Sequence, residues 1–239
     1  MRRRFIAVAG LLTLGLVLGR ARAVAAQPTL PLPPQLPPKD RERVNAIVKN
    51  AFASTQQQVE PYPARPEIFE YLLDHLEFAG HVARALKAAR YKIWRDQQGL
   101  WLDDGWGVRG TFFTLYGEPG LRLIHAQGAY QSALPDIKGR AVVALAYKFE
   151  PAAQSRQQVA TTLTSFVHID SAVIRAIGKI GGPFVQTKAD REARRLLRVF
   201  AKVSRAIEEN PGEAYARIRD HPGAPKPELE EFRRLLRVP

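Results

Sequence analysis

The spacing between apolar residues changes twice along this chain, and that change constrains the fold more than any other feature of the sequence. Towards both ends, apolar residues recur at the three-to-four-residue spacing of an amphipathic helix. In between, the period falls to about two in segments rich in Val, Ile, Thr and aromatic residues, which we predict to be strands: Tyr91–Asp96, Leu100–Asp103, Val108–Tyr116, Leu121–Gln131, Arg140–Phe149 and Gln158–Ile169. The connections between them are too short to hold crossover helices, so the sequence predicts an antiparallel meander of about six strands.

Helices are predicted on both sides of this meander. A break at Gly181-Gly182-Pro183 separates a short helix from a long amphipathic one, and Gly80 divides an earlier pattern into two helices or one kinked helix. The predicted helices cover Asp40–Ser54, residues 68–86, Ser171–Ile180, about Phe184–Glu209 and two short stretches after Asn210. The fold class is therefore α+β, with N-terminal helices, the meander and a long C-terminal helix.

The N-terminus has the pattern of an export signal. A basic start, Arg2 to Arg4, precedes an uncharged, mainly apolar run over Phe5–Gly19 and small residues suited to cleavage near Ala25. We predict a signal peptide over residues 1–26 and a periplasmic protein exported by the general secretory route rather than the twin-arginine route; the alternative is an uncleaved anchor. Removal of the signal deletes five arginines and lowers the net charge from +13 to +8.

The segment after the signal is rich in proline. Six of the eleven residues from Pro28 to Pro38 are proline, which predicts an extended spacer over residues 27–39. The absence of cysteine excludes disulfides, thiolate metal sites and cysteine nucleophiles.

The order of elements resembles that of the START-like or helix-grip family (SRPBCC, polyketide-cyclase-like). The resemblance covers roughly residues 60 to 210. It depends on the opening Phe69-Glu70-Tyr71-Leu72-Leu73-Asp74 and on Val173–Asn210, where a Gly-Pro break precedes the long helix and Asn-Pro ends it. It implies a sheet curved around the long helix and a cavity for a hydrophobic molecule; no functional residue transfers by position, since the family has no short invariant motif. The strand that the family has before its first helix corresponds at most to Gln56–Glu60, which is short and polar. The sequence therefore does not decide whether the sheet closes fully around the helix.

These boundaries divide the chain into five regions. After the signal and the spacer come an N-terminal helix and connector over residues 40–60, a START-like domain over residues 61–210 and a C-terminal helical tail over residues 211–239.

Alternation along the strands predicts which side chains face inward. We place a mostly apolar set with a few polar groups on the inner face and on the long helix, and the opposite face, with Arg109, Arg122, Lys148, Thr162 and Thr164, in water. The predicted cavity residues are Phe112, Thr114, Tyr116, Leu123, His125, Gln127, Val143, Leu145, Tyr147, Leu163, Ser165, Val167, Leu197 and Phe200. Such a face suits a lipid or other hydrophobic small molecule, and a solid core is the alternative.

Other motifs have ordinary explanations. Residues 105–110 match G-x-G-x-x-G, but a strand follows instead of a helix, so we predict a hairpin turn, to which Asp103 and Asp104 also belong. His125 with Tyr147 is the best acid–base pair, and we favour a polar spot in a lipid pocket over catalysis. Asp74, Glu77 and His81 have spacing compatible with a metal, but we favour a solvated helix face. We therefore predict no catalytic residue, metal or cofactor.

Basic residues cluster on the long helix. Seven recur at spacings of three and four residues, and six of them are candidates for contact with an anionic membrane surface: Arg191, Arg194, Arg195, Arg198, Lys202 and Arg205. A solvated face is an equal alternative. Nucleic acid is not an expected partner, because the chain has an export signal and lacks an aromatic-interleaved basic motif.

The leading hypothesis is an exported, monomeric protein that binds or transfers a lipid or other hydrophobic molecule in the bacterial envelope. The alternatives are a small cyclase- or hydratase-type enzyme that uses the same cavity, and a periplasmic protein-interaction module whose Pro-rich arm and C-terminal helix bind a partner.

Overall fold

A computed structural model describes residues 28–131, 136–152, 157–170 and 178–239 of this protein. In these residues it contains helices at Pro38–Lys49 (α1), Pro66–Asp74 (α2), Leu76–Ala85 (α3), Gly178–Glu209 (α4), Pro211–Asp220 (α5) and Lys226–Leu236 (α6). The strands are Ala53–Gln58 (β1), Tyr62–Pro63 (β2), Lys92–Asp96 (β3), Gly99–Asp103 (β4), Val108–Glu118 (β5), Leu121–Tyr130 (β6), Ile137–Pro151 (β7) and Gln157–Ile169 (β8). The predicted signal peptide and most of the short helix predicted over Ser171–Ile180 lie outside the described residues.

The strands form one antiparallel sheet in the order β1-β8-β7-β6-β5-β4-β3, with the short β2 also paired to β8. The predicted α+β class, the antiparallel sheet and the long C-terminal helix are confirmed, but the sheet has eight strands instead of about six. The two additional strands precede the meander. Strand β1, rich in Ser, Thr and Gln, pairs Ala53 with Val167 and Gln58 with Thr162 at the far end of the sheet.

Helix α4 covers the free edge of β1. The side-chain amide of Gln186 accepts a hydrogen bond from the backbone N–H of Ser54 (3.3 Å) and donates one to its carbonyl oxygen (2.8 Å). Arg194 donates to the side chain of Gln57 at 2.9 Å. An edge strand exposes a row of unpaired backbone groups that can pair with other chains, and here a helix occupies part of that row.

Two predicted helix breaks are wrong. The first pair of helices separates at His75, where φ is −114° and ψ is 65°, and Gly80 lies inside α3. Gly80 packs there against Ile93, which an added Cβ would meet at 3.1 Å. Helix α4 also continues across Gly181-Gly182-Pro183, where the sequence predicted a break.

The outer face of the sheet is covered by the N-terminal part of the chain. Val44 and Ile47 of α1 form a core with Val142 and Phe166, and Leu36 of the Pro-rich segment is 3% exposed beside them. A proline-rich stretch can still contribute side chains to a core where leucines lie between the prolines. Part of the predicted spacer therefore belongs to the folded body.

The largest core is helical. Apolar residues of α2, α3 and the end of α4 pack with Tyr215 and Ile218 of α5 and with Phe232 of α6. Phe78 and Phe232 meet edge to face, with ring centroids 5.2 Å apart. Residues 211–239, which the sequence analysis treated as a tail, thus share a core with the helices that precede the sheet.

Candidate ligand cavity

A cavity of about 480 Å³ lies between the inner face of the sheet, helices α2 and α3, and α4. Its volume falls within the roughly 300–1,000 Å³ of small-molecule sites. Phe112, Ile124 and Val143 line it from the sheet, Leu76 from α3 and Leu196 from α4. A smaller pocket of about 50 Å³ adjoins it and shares Ile124, Val143 and Leu196 with it. The lining is mainly apolar, so an apolar molecule would gain most from binding here.

The inner face predicted for β7 and β8 is correct. Val143 pairs with Ser165 and Leu145 with Leu163, and their side chains face α4 and the cavity. Of the residues predicted to line the cavity, the structure brings the following to it or to the smaller pocket: Phe112, Thr114, Val143, Leu145, Leu163, Ser165, Val167 and Phe200. Gln127 also borders the cavity, but it is exposed and its position opposite Arg140 is on the outer side of β6.

The face predicted for β6 is wrong. Leu123 and His125 point to the outer side, where Leu123 belongs to the core under α1, whereas Ile124 and Ala126 line the cavity. Both faces of β6 carry apolar side chains because both are covered, so alternation alone could not distinguish them. Tyr116 is also on the outer side, because the register between β5 and β6 shifts between Thr114 and Tyr116.

Leu197 and Tyr147 are inside but do not line the cavity. Leu197 is fully buried and Tyr147 is 7% exposed, and both pack in a solid core with Phe69 and Leu163. The inner space is therefore partly core and partly cavity.

His125 and Tyr147, the best candidate acid–base pair in the sequence, for which a polar spot in a lipid pocket was favoured over catalysis, are not brought together. His125 is on the outer face, where its ring contacts that of Phe113 in a tilted arrangement with centroids 4.9 Å apart, while Tyr147 is on the inner face. Burial, with Arg43 and Arg140 nearby, lowers the pKa of His125 below its ordinary value. With the sheet between the two side chains, they cannot act on one substrate.

The prediction that Arg122 faces water is wrong, because the residue is 5% exposed. Its guanidinium donates to Glu70 at 2.6 Å and to Asp74 at 2.9 Å. The Tyr147 hydroxyl donates to the same Glu70 carboxylate at 2.8 Å. Burial and the bond to Glu70 raise the pKa of Tyr147 well above its ordinary value. Glu70 and Asp74 lie four residues apart on α2, a spacing that places both carboxylates on one helix face and could have signalled a shared cation.

A row of charged side chains on α4 borders the cavity where the helix meets the β4–β5 turn and the end of β6. Lys188 lies over the ring of Tyr130 with its Nζ 4.7 Å from the centroid, and Arg195 lies over Trp106 at 4.0 Å. Glu192 lies between them, 3.0 Å from Lys188 and 2.8 Å from Arg195. We call this boundary between α4 and the two rings the seam. The seam could not be predicted from the sequence, because Trp106 and Tyr130 are distant from α4 in the chain.

The remaining basic candidates form an exposed stripe. Arg195 belongs to the seam and is not free to contact a surface. The other five are exposed at spacings of three and four residues along one face of α4, and we call them the stripe: Arg191, Arg194, Arg198, Lys202 and Arg205. In the described residues none of them forms an ion pair with an acidic side chain.

Of the other motifs, residues 105–110 have the predicted role in a turn, whereas the solvated helix face predicted for Asp74, Glu77 and His81 is wrong at His81, which is 2% exposed. Residues 105–110 span the β4–β5 turn and the start of β5, and the Asp104 carboxylate accepts hydrogen bonds from the backbone N–H groups of Trp106 (2.7 Å) and Val108 (2.9 Å). Glu77 pairs with Arg95, and His81 bonds to the carbonyl of Ile218. Across the described ranges, no grouping of three or more His, Asp and Glu side chains could hold a metal ion.

None of the helices in the described part of the chain combines the length and apolar character needed to span a bilayer. No protein-family model and no curated protein matches the sequence. Among solved structures, the chain is similar to a hypothetical protein from Helicobacter pylori, with 10% identity, coverage of 77% of this chain and 99% of the other, and a TM-score of 0.36.

Proposed function

We propose that this protein binds a lipid or another hydrophobic small molecule in its cavity, as an exported binding or transfer protein of the bacterial envelope. The observation that carries the proposal is the mainly apolar cavity of about 480 Å³ between the sheet and α4. A well-packed interior has few voids larger than a water molecule, so a space of this size favours a ligand over a solid core.

We further infer a helix-grip arrangement, in which the sheet bends around α4. Three glycines stand in register across β5, β6 and β7, Gly110 beside Gly128 and Gly128 beside Gly139, and all three border the cavity. A Cβ on Gly128 would lie 2.5 Å from the carbonyl oxygen of Arg109. Backbones this close are typical of a glycine bend in a sheet. We call these three residues the glycine row.

The two alternatives have less support. The cyclase or hydratase alternative relied on His125 with Tyr147, and these two side chains lie on opposite sides of the sheet. A protein-interaction module would need free arms, but Leu36 of the Pro-rich segment and Phe232 of α6 are buried in cores.

Native mass spectrometry and organic extraction of the purified protein test the proposal. We expect a copurified hydrophobic molecule, or saturable binding of a pyrene-labelled fatty acid after delipidation. A protein that is empty and binds no apolar probe contradicts the proposal.

A matched pair of variants locates the binding. Ala126→Phe places a ring inside the cavity, whereas Ala146→Phe adds the same ring to the outer face of β7. We expect Ala126→Phe to weaken probe binding by about tenfold, since the ring occupies the space of the ligand, and Ala146→Phe to leave it unchanged. Equal effects of the two variants would place the probe elsewhere.

A further inference from the structure

The two edges of the sheet differ in how they are covered. Helix α4 lies along β1, where the side chain of Gln186 bonds to the backbone of Ser54. The opposite edge is β3, which pairs with β4 alone among the described strands. A free strand edge presents backbone N–H and C=O groups that can pair with a strand of another chain. The β3 edge is therefore a candidate interface.

The register of β3 shows which of its backbone groups are free. A two-residue turn joins the partners Asp96 and Gly99, so every second residue of β3, counted back from Asp96, bonds to β4. Ile93 and Arg95 lie between these residues and point their N–H and C=O groups away from β4. No backbone hydrogen bond among the described residues satisfies these groups.

The side chains of β3 favour a second copy of the same strand as the partner. Lys92, Trp94 and Asp96 share the outer face, with the base at one end, the ring in the middle and the acid at the other end. If two copies pair antiparallel with Trp94 opposite Trp94, each Lys92 lies opposite Asp96 of the second copy. Charges on an edge strand usually prevent pairing, but opposite charges across a pair stabilise it. The strand is thus complementary to itself.

The backbone favours the same register. With Trp94 at the two-fold axis, Ile93 of each copy lies opposite Arg95 of the other, so the free groups of both residues form hydrogen bonds. A shift of two residues towards the turn places Arg95 opposite itself, and like charges then meet. A shift the other way uses Tyr91, whose carbonyl oxygen already accepts a hydrogen bond from Arg84.

We propose that two copies of this protein pair through β3 about a two-fold axis at Trp94, so that one antiparallel sheet continues through both. Within each copy Trp101 stacks on Trp94 with ring centroids 5.9 Å apart, and Arg109 lies over both rings. At the axis the two Trp94 rings become neighbours, which extends this row of rings across the interface. Tryptophan and arginine are typical of the cores of protein interfaces. The dimer differs from the monomer expected from the sequence, and it does not depend on the proposed function.

Analytical ultracentrifugation of the purified protein tests the proposal. We expect a dimer whose fraction rises with protein concentration. Lys92→Glu places an acid opposite Asp96, so the dissociation constant should rise by about tenfold. Lys148→Glu makes the same change of charge at an exposed position on the outer face of β7 and should leave the dimer unchanged. A wild-type protein that stays monomeric at about 1 mM, where even weak complexes form, overturns the proposal.

A charge swap tests the register. Lys92→Glu combined with Asp96→Lys restores opposite charges across the axis, so the dissociation constant should return towards the wild-type value. Asp96 also accepts a hydrogen bond from the backbone N–H of Gln98 in the turn, so circular dichroism is used to verify that each variant is folded. If the folded double variant dissociates as readily as Lys92→Glu, the two positions do not face each other and the proposal falls.

Cysteine cross-linking measures the distance directly, since the chain has no cysteine of its own. In Trp94→Cys the two new side chains would lie opposite each other with Cβ atoms about 5 Å apart, so mild oxidation should link the copies covalently. Trp101→Cys removes the other ring of the same stack, but its side chains would be about 14 Å apart across three strand spacings. It should not be linked. Equal linking of the two variants, or no linking of Trp94→Cys, overturns the proposal.

Discussion

His81 illustrates at the scale of a residue how burial controls a titratable group in this protein. It is 2% exposed on α3, with Nε2 at 2.9 Å from the carbonyl oxygen of Ile218. Its Nδ1 is buried with no hydrogen-bond partner in the described residues, and the ring of His221 stands perpendicular at 5.0 Å. Burial lowers the pKa of His81, the bond to Ile218 opposes this, and His221 and Arg84 lower it further. The neutral imidazole is therefore the native form.

The pH dependence of stability follows from this depressed pKa. Below about pH 6.5 His81 becomes protonated in the unfolded chain while it stays neutral in the folded chain. The free energy of unfolding therefore rises with pH between the folded and unfolded pKa values and is lost as the pH falls through that window. His125, which is also buried with a lowered pKa, contributes with the same sign. We expect His81→Gln with His125→Gln to reduce the difference between urea midpoints measured at about pH 7.5 and pH 5.

The control is Val82→Ala, which destabilises the core beside His81 without removing a titratable group. It should keep the wild-type dependence on pH. An unchanged dependence in the double variant would show that the two buried histidines are not its source.

Individual residues also explain which parts of the cavity could be predicted from the sequence. On β7 and β8 part of the outward face carries polar side chains, such as Lys148 and Thr162, so alternation identified the inner face correctly although Val142 and Phe166 are outward and apolar. Thr164, predicted to lie in water, is 3% exposed. On β6 both faces are apolar, and on β5 a register shift moves Tyr116 to the outer side. The spacing of apolar residues does not show that a second layer covers the outer face of a strand, and it does not show where a β-bulge shifts the register.

The glycine row shows, at the scale of the element, how a sheet can border a cavity. Inner positions without side chains leave space, and the neighbouring backbones come closer than any Cβ allows. The predicted strands contained Gly110 and Gly128, but Gly139 lay just before the predicted strand Arg140–Phe149, and the register was not predicted. A row across three strands becomes visible only when the pairing is known.

Gly128→Ala should therefore be costly. Its Cβ would lie 2.5 Å from the carbonyl oxygen of Arg109 and 2.8 Å from the Cα of Gly110, so backbone must move. We expect a loss of roughly 3 kcal/mol or more in the free energy of unfolding, a value typical of severe backbone conflicts, measured by urea denaturation.

Gly212→Ala is the control, since an added Cβ there meets nothing closer than the Asn210 side chain at 3.9 Å. In the first turn of α5, alanine should change stability by less than about 1 kcal/mol. Similar losses in the two variants would mean that the glycine row is not under steric constraint.

The described residues form three hydrophobic cores, which the sheet and its helices separate. One lies under α1 and the Pro-rich segment, one between the sheet and α4, and one among α2, α3, α5 and α6. Since α4 contributes to the second and the third, we expect the described body to unfold as one unit.

Phe232→Ala tests this cooperativity. Phe232 is fully buried in α6, whereas the three tryptophans lie at 94, 101 and 106 in the sheet region. Removing a buried phenylalanine typically costs about 3–5 kcal/mol, which should lower Tm by roughly 10 °C in a protein of this size. Tryptophan fluorescence and calorimetry should report the same shift. Phe113→Ala, which removes an exposed ring, should change Tm only slightly. Separate transitions in Phe232→Ala would divide the chain into independent units.

The pairing of β1 with β8 means that the sheet can be completed only late in synthesis of the chain. Ala53 and Val167 are partners although nearly half of the sequence separates them, so β1 stays unpaired until β8 and then Gln186 of α4 have been synthesised. Segments that wait for distant partners are exposed to aggregation. A strand rich in serine, threonine and glutamine can stay solvated while it is unpaired, because it exposes little apolar surface to other chains. The polarity that concealed β1 in the sequence is thus what keeps a nascent chain soluble until its sheet can be completed.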